Sequence, residues 1–191
     1  LDDAALSALH ERIPLVDGTP LIHHGLGFSV DLMPDEGTLV GYRAKPHTGV
    51  IDLDRIGHYA PREFWEDVHA EDGRIILDPG AFYILVSRES VTIPPDHAAE
   101  MAPYMAMVGE FRVHYAGFFD PGFGYGAAGG TGSRGVLEVR CHEAPFVLEH
   151  GQTVGRLVYE KMATLPDRLY GTDMGSNYQG QGLKLSKHFR S

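Results

Sequence analysis

Frequent prolines and glycines are the feature that most limits how this chain can fold. They divide much of the sequence into short runs, at Pro20, Gly25, Pro34, Gly37, Gly49, Pro61, Gly73, Pro79, Pro94 and Pro103. The runs between them, such as FSVDLM, AFYILVS, VLEVR and GRLVYE, alternate or are continuously apolar, and they are rich in β-branched and aromatic residues. Such runs are typical of strands. Many short strands separated by turns predict an all-β sandwich or barrel.

Helix signals are confined to two places. Residues 2–11 are expected to form a short helix, because Asp2 or Asp3 can cap it and Leu6 and Leu9 follow at helical spacing. The run PREFWEDV, at 61–68, suits one helical turn or two. The glycine-dense stretch at 124–135 predicts a mobile loop or hairpin insertion, and the strand that follows it weakens any interpretation as a phosphate-binding loop.

Length and charge narrow the class of protein. A chain of 191 residues suits one domain, 1–191, in which 1–20 is a helical extension and 171–191 a flexible tail. The formal net charge is −10 with scattered basic residues, which argues against a nucleic-acid partner. No apolar run has the length of a membrane span. We therefore expect a cytoplasmic protein without nucleic-acid or membrane partners, although an anionic small molecule remains a possible ligand.

Eleven histidines and one cysteine bear on metal binding. His69-Ala70-Glu71 matches the first half of a zinc deaminase signature, but the second half needs two cysteines and the chain has Cys141 alone. We therefore predict no zinc and no metal ligands in this chain. A single cysteine also excludes an internal disulfide and fits a reducing compartment.

Two carboxylates, Glu138 and Asp120, are candidate functional residues because of the sequence around them. In a simple strand over GVLEVR, Val136 and Glu138 share one face and Leu137 and Val139 the other. Glu138 is then either an exposed residue at a sheet edge or a desolvated acid with a raised pKa. Asp120 precedes Pro-Gly, a context typical of a turn former, and its functional use is the alternative.

Five stretches in order resemble the dCTP deaminase family, relatives of the trimeric dUTPases. They are GFSVDLM at 27–33, LDPGAFYILVSRESVTIPPD at 77–96, DPGFG at 120–124 followed by GVLEV at 135–139, LEHGQTVGRLVYE at 148–160, and the closing Tyr170 to Gln181 with N-Y-Q-G-Q. The resemblance implies a dUTPase-like β-clip, a distorted β-barrel or sandwich with a short N-terminal helix.

The resemblance also implies an activity. The family hydrolyses the 4-amino group of dCTP to give dUTP and ammonia without zinc, and a glutamate relays the protons. That glutamate corresponds to Glu138. Mg²⁺ is expected to arrive with the triphosphate. The residues expected to contact the nucleotide (dCTP, dUTP or dTTP) are Asp120, Val136, Leu137, Glu138, Tyr170, Asn177, Tyr178 and Gln181, the last ones as part of a lid that closes on the phosphates.

The chain departs from the family at its central Gly-Arg-Ser-Ser-x-x-Arg motif. The corresponding positions are Met101, Ala102, Pro103, Tyr104 and Met107. The family's tail lysine is Asn177, and an arginine usual two residues before the DPG aspartate is Phe118. Most of the positive charge for a triphosphate is therefore missing.

Some bacterial relatives carry two such domains in one chain, with each site between protomers. The absence of methionine at Leu1 suits either a trimmed start or a piece of a longer chain. If this chain is the C-terminal half of a tandem deaminase, the missing methionine and the missing motif are explained together. The chain would then continue upstream of Leu1, and another domain could supply Arg-Ser-Ser. This chain alone is then expected to be poorly active.

The alternatives are a dUTP pyrophosphatase, a bifunctional enzyme, or a non-catalytic domain that binds nucleotide or completes an oligomer. The expected partner is a companion domain of this kind or further copies in a trimer-like homo-oligomer.

Overall fold

The computed structural model describes residues 1–35, 37–103, 111–114, 118–126, 132–171, 180 and 182–190. In this part of the chain there are two helices, α1 (Asp3–Arg12) and α2 (Pro61–Phe64). The strands are β1 (Leu26–Ser29), β2 (Leu39–Ala44), β3 (Trp65–His69), β4 (Arg74–Leu77), β5 (Phe82–Val91), β6 (His97–Pro103), β7 (Phe111–His114), β8 (Phe118–Phe119), β9 (Ser133–Cys141), β10 (Phe146–Glu149) and β11 (Thr153–Lys161). The predicted all-β class with a short N-terminal helix is confirmed.

Helix α1 begins where the sequence predicts. The side chain of Asp2 accepts a hydrogen bond from the Ala5 backbone N–H at 2.8 Å, which satisfies one of the free donors of the first turn. Leu6 and Leu9 point into the protein and are almost fully buried. At the second candidate helix, Pro61 starts one turn only, and Trp65 already begins strand β3.

The strands form two larger antiparallel sheets. One has the order β1-β11-β6-β8, the other β3-β2-β5-β9-β7, and β10 and β4 pair separately. Buried side chains from both larger sheets, such as Leu157 of β11 and Leu85 of β5, belong to one continuous main core. The two sheets therefore face each other across that core, as in a sandwich.

Strand β5 is buried on both faces, which explains why its sequence reads as a continuous apolar run. Tyr83 and Leu85 point into the main core. Phe82 and Ile84, on the opposite face, belong to a second, smaller cluster. Its buried members are Phe64, Ile84, Leu185 and Phe189. This second cluster is formed by the sheet, α2 and the C-terminal residues, and it positions the cavity described below.

Candidate active site

A cavity of about 520 Å³ opens over the second face of β5 and β9. Its described lining is largely aromatic and apolar, with a few polar groups. The lining residues are Trp65, Phe82, Ile84, Phe118, Phe119, Asp120, Phe123, Gly135, Val136, Glu138, Tyr170, Lys184, Leu185 and Ser186. A concave, largely apolar pocket with a few convergent polar groups is the usual form of a small-molecule site.

Glu138 lies on the floor of this cavity because of the alternation of β9. Leu137 and Val139 are fully buried in the main core, while Val136 and Glu138 face the cavity and are half-buried. The predicted division of faces is therefore confirmed. Glu138 is not at a sheet edge, because β9 is paired with β5 on one side and β7 on the other. The edge interpretation is wrong.

The first residues of β9 are held in place by polar contacts. Arg134 donates to the buried carboxylate of Asp31 at 2.6 Å, and the Gly135 N–H donates to the Ser87 hydroxyl at 2.9 Å. A Cβ on Gly135 would lie 2.3 Å from the ring of Phe28, so only glycine fits here. These contacts fix the register that places Glu138 in the cavity.

Asp120 enters the cavity from a tight turn. Its carbonyl accepts from the Phe123 N–H at 3.1 Å, as expected for a turn, while the residue itself is exposed and lines the cavity. Gly122, at the bend, has φ +97°, and a Cβ there would approach the Tyr170 carbonyl oxygen to 3.0 Å. The turn therefore requires glycine both for its conformation and for space.

Tyr170 is joined to that turn from the other side. Its N–H donates to the Pro121 carbonyl at 2.9 Å, and its ring lies 5.6 Å from the ring of Phe123. Four predicted residues, Asp120, Val136, Glu138 and Tyr170, thus meet around one cavity although they span fifty positions of the sequence. The fifth described one, Leu137, has its side chain in the main core and not in the cavity.

The remaining predicted contacts cannot be placed. Asn177, Tyr178 and Gln181 lie outside the described residues, and so do Tyr104 and Met107 of the lost motif. Met101 is 3% exposed in the main core, and Ala102 pairs with Arg156 across β6 and β11. Neither is among the described residues that line the cavity.

The sequence did not reveal the wall formed by residues 183–190, which we call the terminal wall. Leu185 and Phe189 are buried, and the ring of Phe189 lies 5.6 Å from Phe64 and 5.9 Å from Trp65. Residues 57–59 and 187–190 also exchange backbone hydrogen bonds of 2.9–3.1 Å. The alternation of Leu183 and Leu185 with Lys184 and Ser186 is the signal that could have predicted this packing.

The lid predicted from glycine content concerns the residues before the terminal wall, from Gly171 to Gly182. Positions 172–179 and 181 lie outside the described residues, and 182–190 belong to the terminal wall or lead into it. The lid therefore stays a prediction for the stretch between Gly171 and Gly182.

Few charged side chains are found among the described residues that line the cavity. The described lining carries two carboxylates, Asp120 and Glu138, and one cation, Lys184. The guanidinium of Arg140 lies 4.8 Å above the ring of Phe82, itself a lining residue. Beside the cavity, burial and then the charge of Asp67 raise the pKa of the Tyr42 phenol, so this ring of the second cluster stays neutral.

The same described ranges contain neither a metal-binding cluster nor a membrane-spanning helix. No group of three or more His, Cys, Asp or Glu side chains there is placed to hold a metal ion. His69, from the partial zinc signature, has its Nδ1 2.9 Å from the Thr38 hydroxyl. No helix in those ranges has the length and apolar character needed to span a bilayer.

Comparisons with known proteins find relatives that are similar in sequence and in fold. A solved structure of 2'-deoxycytidine 5'-triphosphate deaminase from Agrobacterium tumefaciens is 54% identical, with a TM-score of 0.83 over 92% of this chain and 52% of that one. The dCTP deaminase of Haloarcula marismortui is 34% identical over 64% of this chain and 60% of its own length. A protein of Beutenbergia cavernae named dCTP deaminase, dUMP-forming, is 31% identical over 58% of this chain and 55% of its own.

These matches are partial on the relatives' side, since the chain spans only about half to three fifths of each of them. On the side of this chain, the family model described as 2'-deoxycytidine 5'-triphosphate deaminase (DCD), C-terminal domain, matches residues 2–189. The chain therefore belongs to the dCTP deaminase family, as a domain of its C-terminal type.

Proposed function

We propose that this domain takes part in the hydrolytic deamination of dCTP to dUTP and ammonia, with Glu138 as the general acid and base. The observation that carries the proposal is the half-buried Glu138 carboxylate on the floor of an aromatic cavity, beside Asp120 and Tyr170. Family membership supports the substrate.

Glu138 suits a proton relay. Water adds its oxygen to C4 of cytosine and gives one proton to the carboxylate, which passes it to ring N3. The carboxylate then moves the remaining hydroxyl proton to the 4-amino group, so that C4 keeps a carbonyl oxygen. The C4–N bond breaks, ammonia leaves, and the ring becomes uracil. Such a positioned acid–base group contributes about 10²- to 10⁴-fold in rate.

The other residues bind the nucleotide. Asp120, Val136 and the backbone at Leu137 are proposed to contact sugar and base, and Tyr170, Asn177, Tyr178 and Gln181 the phosphates. The substrate is the magnesium complex of dCTP, whose triphosphate shares its charge with Mg²⁺. Lys184 is the one cation among the described lining residues, which favours a contribution of the Arg-Ser-Ser motif by another domain.

Glu138→Gln in the full-length protein tests the proposal. Glutamine keeps the volume but accepts no proton, so we expect turnover of dCTP, measured as ammonia release, to fall by about 10²- to 10⁴-fold. Binding of dCTP should change only a few-fold. The matched control is Glu160→Gln at the exposed end of β11. Turnover within a few-fold of the unmodified protein would make Glu138 a structural residue.

Two alternatives have an observation in their favour. Relatives named dUMP-forming favour a bifunctional enzyme or dUTP pyrophosphatase, and chromatography of the product as dUTP or dUMP separates these activities. Met101 in the main core and Ala102 at the lost motif favour a domain that only binds nucleotide or completes an oligomer. In that case Glu138→Gln would leave the turnover of the full-length protein unchanged.

A further inference from the structure

The cavity has an uneven distribution of charge. Glu138 is half-buried on the floor, whereas Lys184 is exposed and lines the cavity from the terminal wall. Phosphate groups are strongly hydrated and are costly to bury unpaired. A ligand with a flat ring and a phosphate tail would therefore place the ring inside and the tail toward the solvent-exposed side, where Lys184 lies.

Lys184 holds this position through its neighbours. Leu185, the next residue, is 9% exposed and packs with Phe64 and Ile84, and Leu183 packs against the same cluster. Backbone hydrogen bonds from Gly57 to the Lys187 carbonyl and from Arg190 to the Tyr59 carbonyl, both 2.9 Å, fix the segment beyond it. A cation on an anchored segment loses little backbone freedom when it binds a ligand.

Little other positive charge lies among the described residues around the cavity. Of the lysines and arginines whose side chains the structure describes, Lys184 is the one that lines the cavity. Two lining carboxylates, Asp120 and Glu138, repel an anion. At position 118, where the family usually has an arginine, the exposed ring of Phe118 borders the cavity instead.

We propose that Lys184 is a cation of this chain that contacts the phosphates of the nucleotide, beside the uncharged residues named above, and selects phosphorylated ligands over the free nucleoside. The inference rests on the proposed function, since it concerns the same cavity. It assigns to the terminal wall a role in specificity, apart from the acid–base chemistry of Glu138.

Calorimetric titration of the full-length protein with deoxycytidine, dCMP and dCTP in the presence of Mg²⁺ tests the proposal. Lys184→Gln is expected to raise the Kd for dCTP and dCMP about 5- to 20-fold, as for the loss of one partly exposed charge-assisted contact. The Kd for deoxycytidine should stay within about twofold. Lys184→Arg should restore most of the affinity for dCTP. Lys187→Gln, exposed on the same segment, is the matched control.

The outcomes separate the two proposals. Equal weakening of all three ligands by Lys184→Gln would indicate a structural role and overturn the assignment, and so would unchanged affinity for dCTP. If none of the three ligands binds the unmodified protein, the proposed function itself is wrong and the role of Lys184 falls with it. Loss of phosphate discrimination in Lys184→Gln, with its recovery in Lys184→Arg, supports the assignment.

Discussion

The two walls of the cavity are held in different ways. The sheet wall consists of β5 and β9, joined by a ladder of paired residues and packed on the main core through Leu85 and Leu137. The terminal wall, residues 183–190, is held by aromatic side chains and a few backbone hydrogen bonds to residues 57–59. The proposed acid–base group lies on the first wall and the proposed phosphate contact on the second. Chemistry that needs a fixed geometry is thus assigned to the wall that resists motion more strongly.

The largest expected effect is on the sheet wall. Leu137→Ala removes a fully buried side chain from the main core, and such changes cost about 2–5 kcal/mol of unfolding free energy. Urea denaturation measures this loss. Leu165→Ala, at a residue 68% exposed, is the control and should cost less than about 0.5 kcal/mol. A cost for Leu137→Ala no larger than that of the control would contradict the account of the main core.

The next effect concerns the terminal wall. Phe189→Ala removes the ring that contacts Tyr59, Phe64 and Trp65. We expect only about 1–2 kcal/mol in global unfolding free energy, because a chain end can detach while the sheets stay folded. Hydrogen exchange of the Gly57 and Arg190 amides should accelerate strongly, while amides of β9 keep their protection. Equal acceleration in β9 would show that the two walls unfold together.

The smallest effects are expected from the loss of one tyrosine hydroxyl, in the main core behind the sheet wall and beside the terminal wall. The Tyr159 hydroxyl donates to the Thr92 carbonyl at 2.9 Å inside the main core, and burial raises the pKa of this phenol, so it stays a donor. Tyr159→Phe should therefore cost about 1 kcal/mol of unfolding free energy.

Its counterpart is Tyr59→Phe. The Tyr59 oxygen accepts from the Asp52 N–H at 2.7 Å at the protein surface, where water can replace it, so we expect less than about 0.5 kcal/mol. Thermal unfolding of both variants under one set of conditions compares them. A larger shift for Tyr59→Phe than for Tyr159→Phe would mean that the loop beside the terminal wall is as tightly held as the core.

The faces of the sheet wall could be predicted from the sequence, whereas the partners on which the terminal wall packs could not. Alternation in GVLEVR assigns Leu137 to the core and Glu138 to the other face, because the period of a strand is fixed by its geometry. Whether that second face meets solvent or a cavity depends on distant residues. Trp65 and Lys184, more than a hundred positions apart, both line it. The sheet-edge interpretation of Glu138 failed for the same reason, since pairing with β7 is not encoded in β9 itself.

The tight start of β9 also limits how such a domain can change over evolutionary time. Ser133 is 1% exposed, Arg134 is tied to Asp31, and Gly135 leaves no room for a side chain. Insertions and deletions in the glycine-rich stretch upstream of these three residues leave the parity of β9 unchanged. A single inserted residue downstream of them would reverse the parity of the strand, turning Glu138 into the core and exposing Leu137. One such event would remove the proposed acid–base group and the hydrophobic support together, so length variation is expected on one side of Ser133 and not on the other.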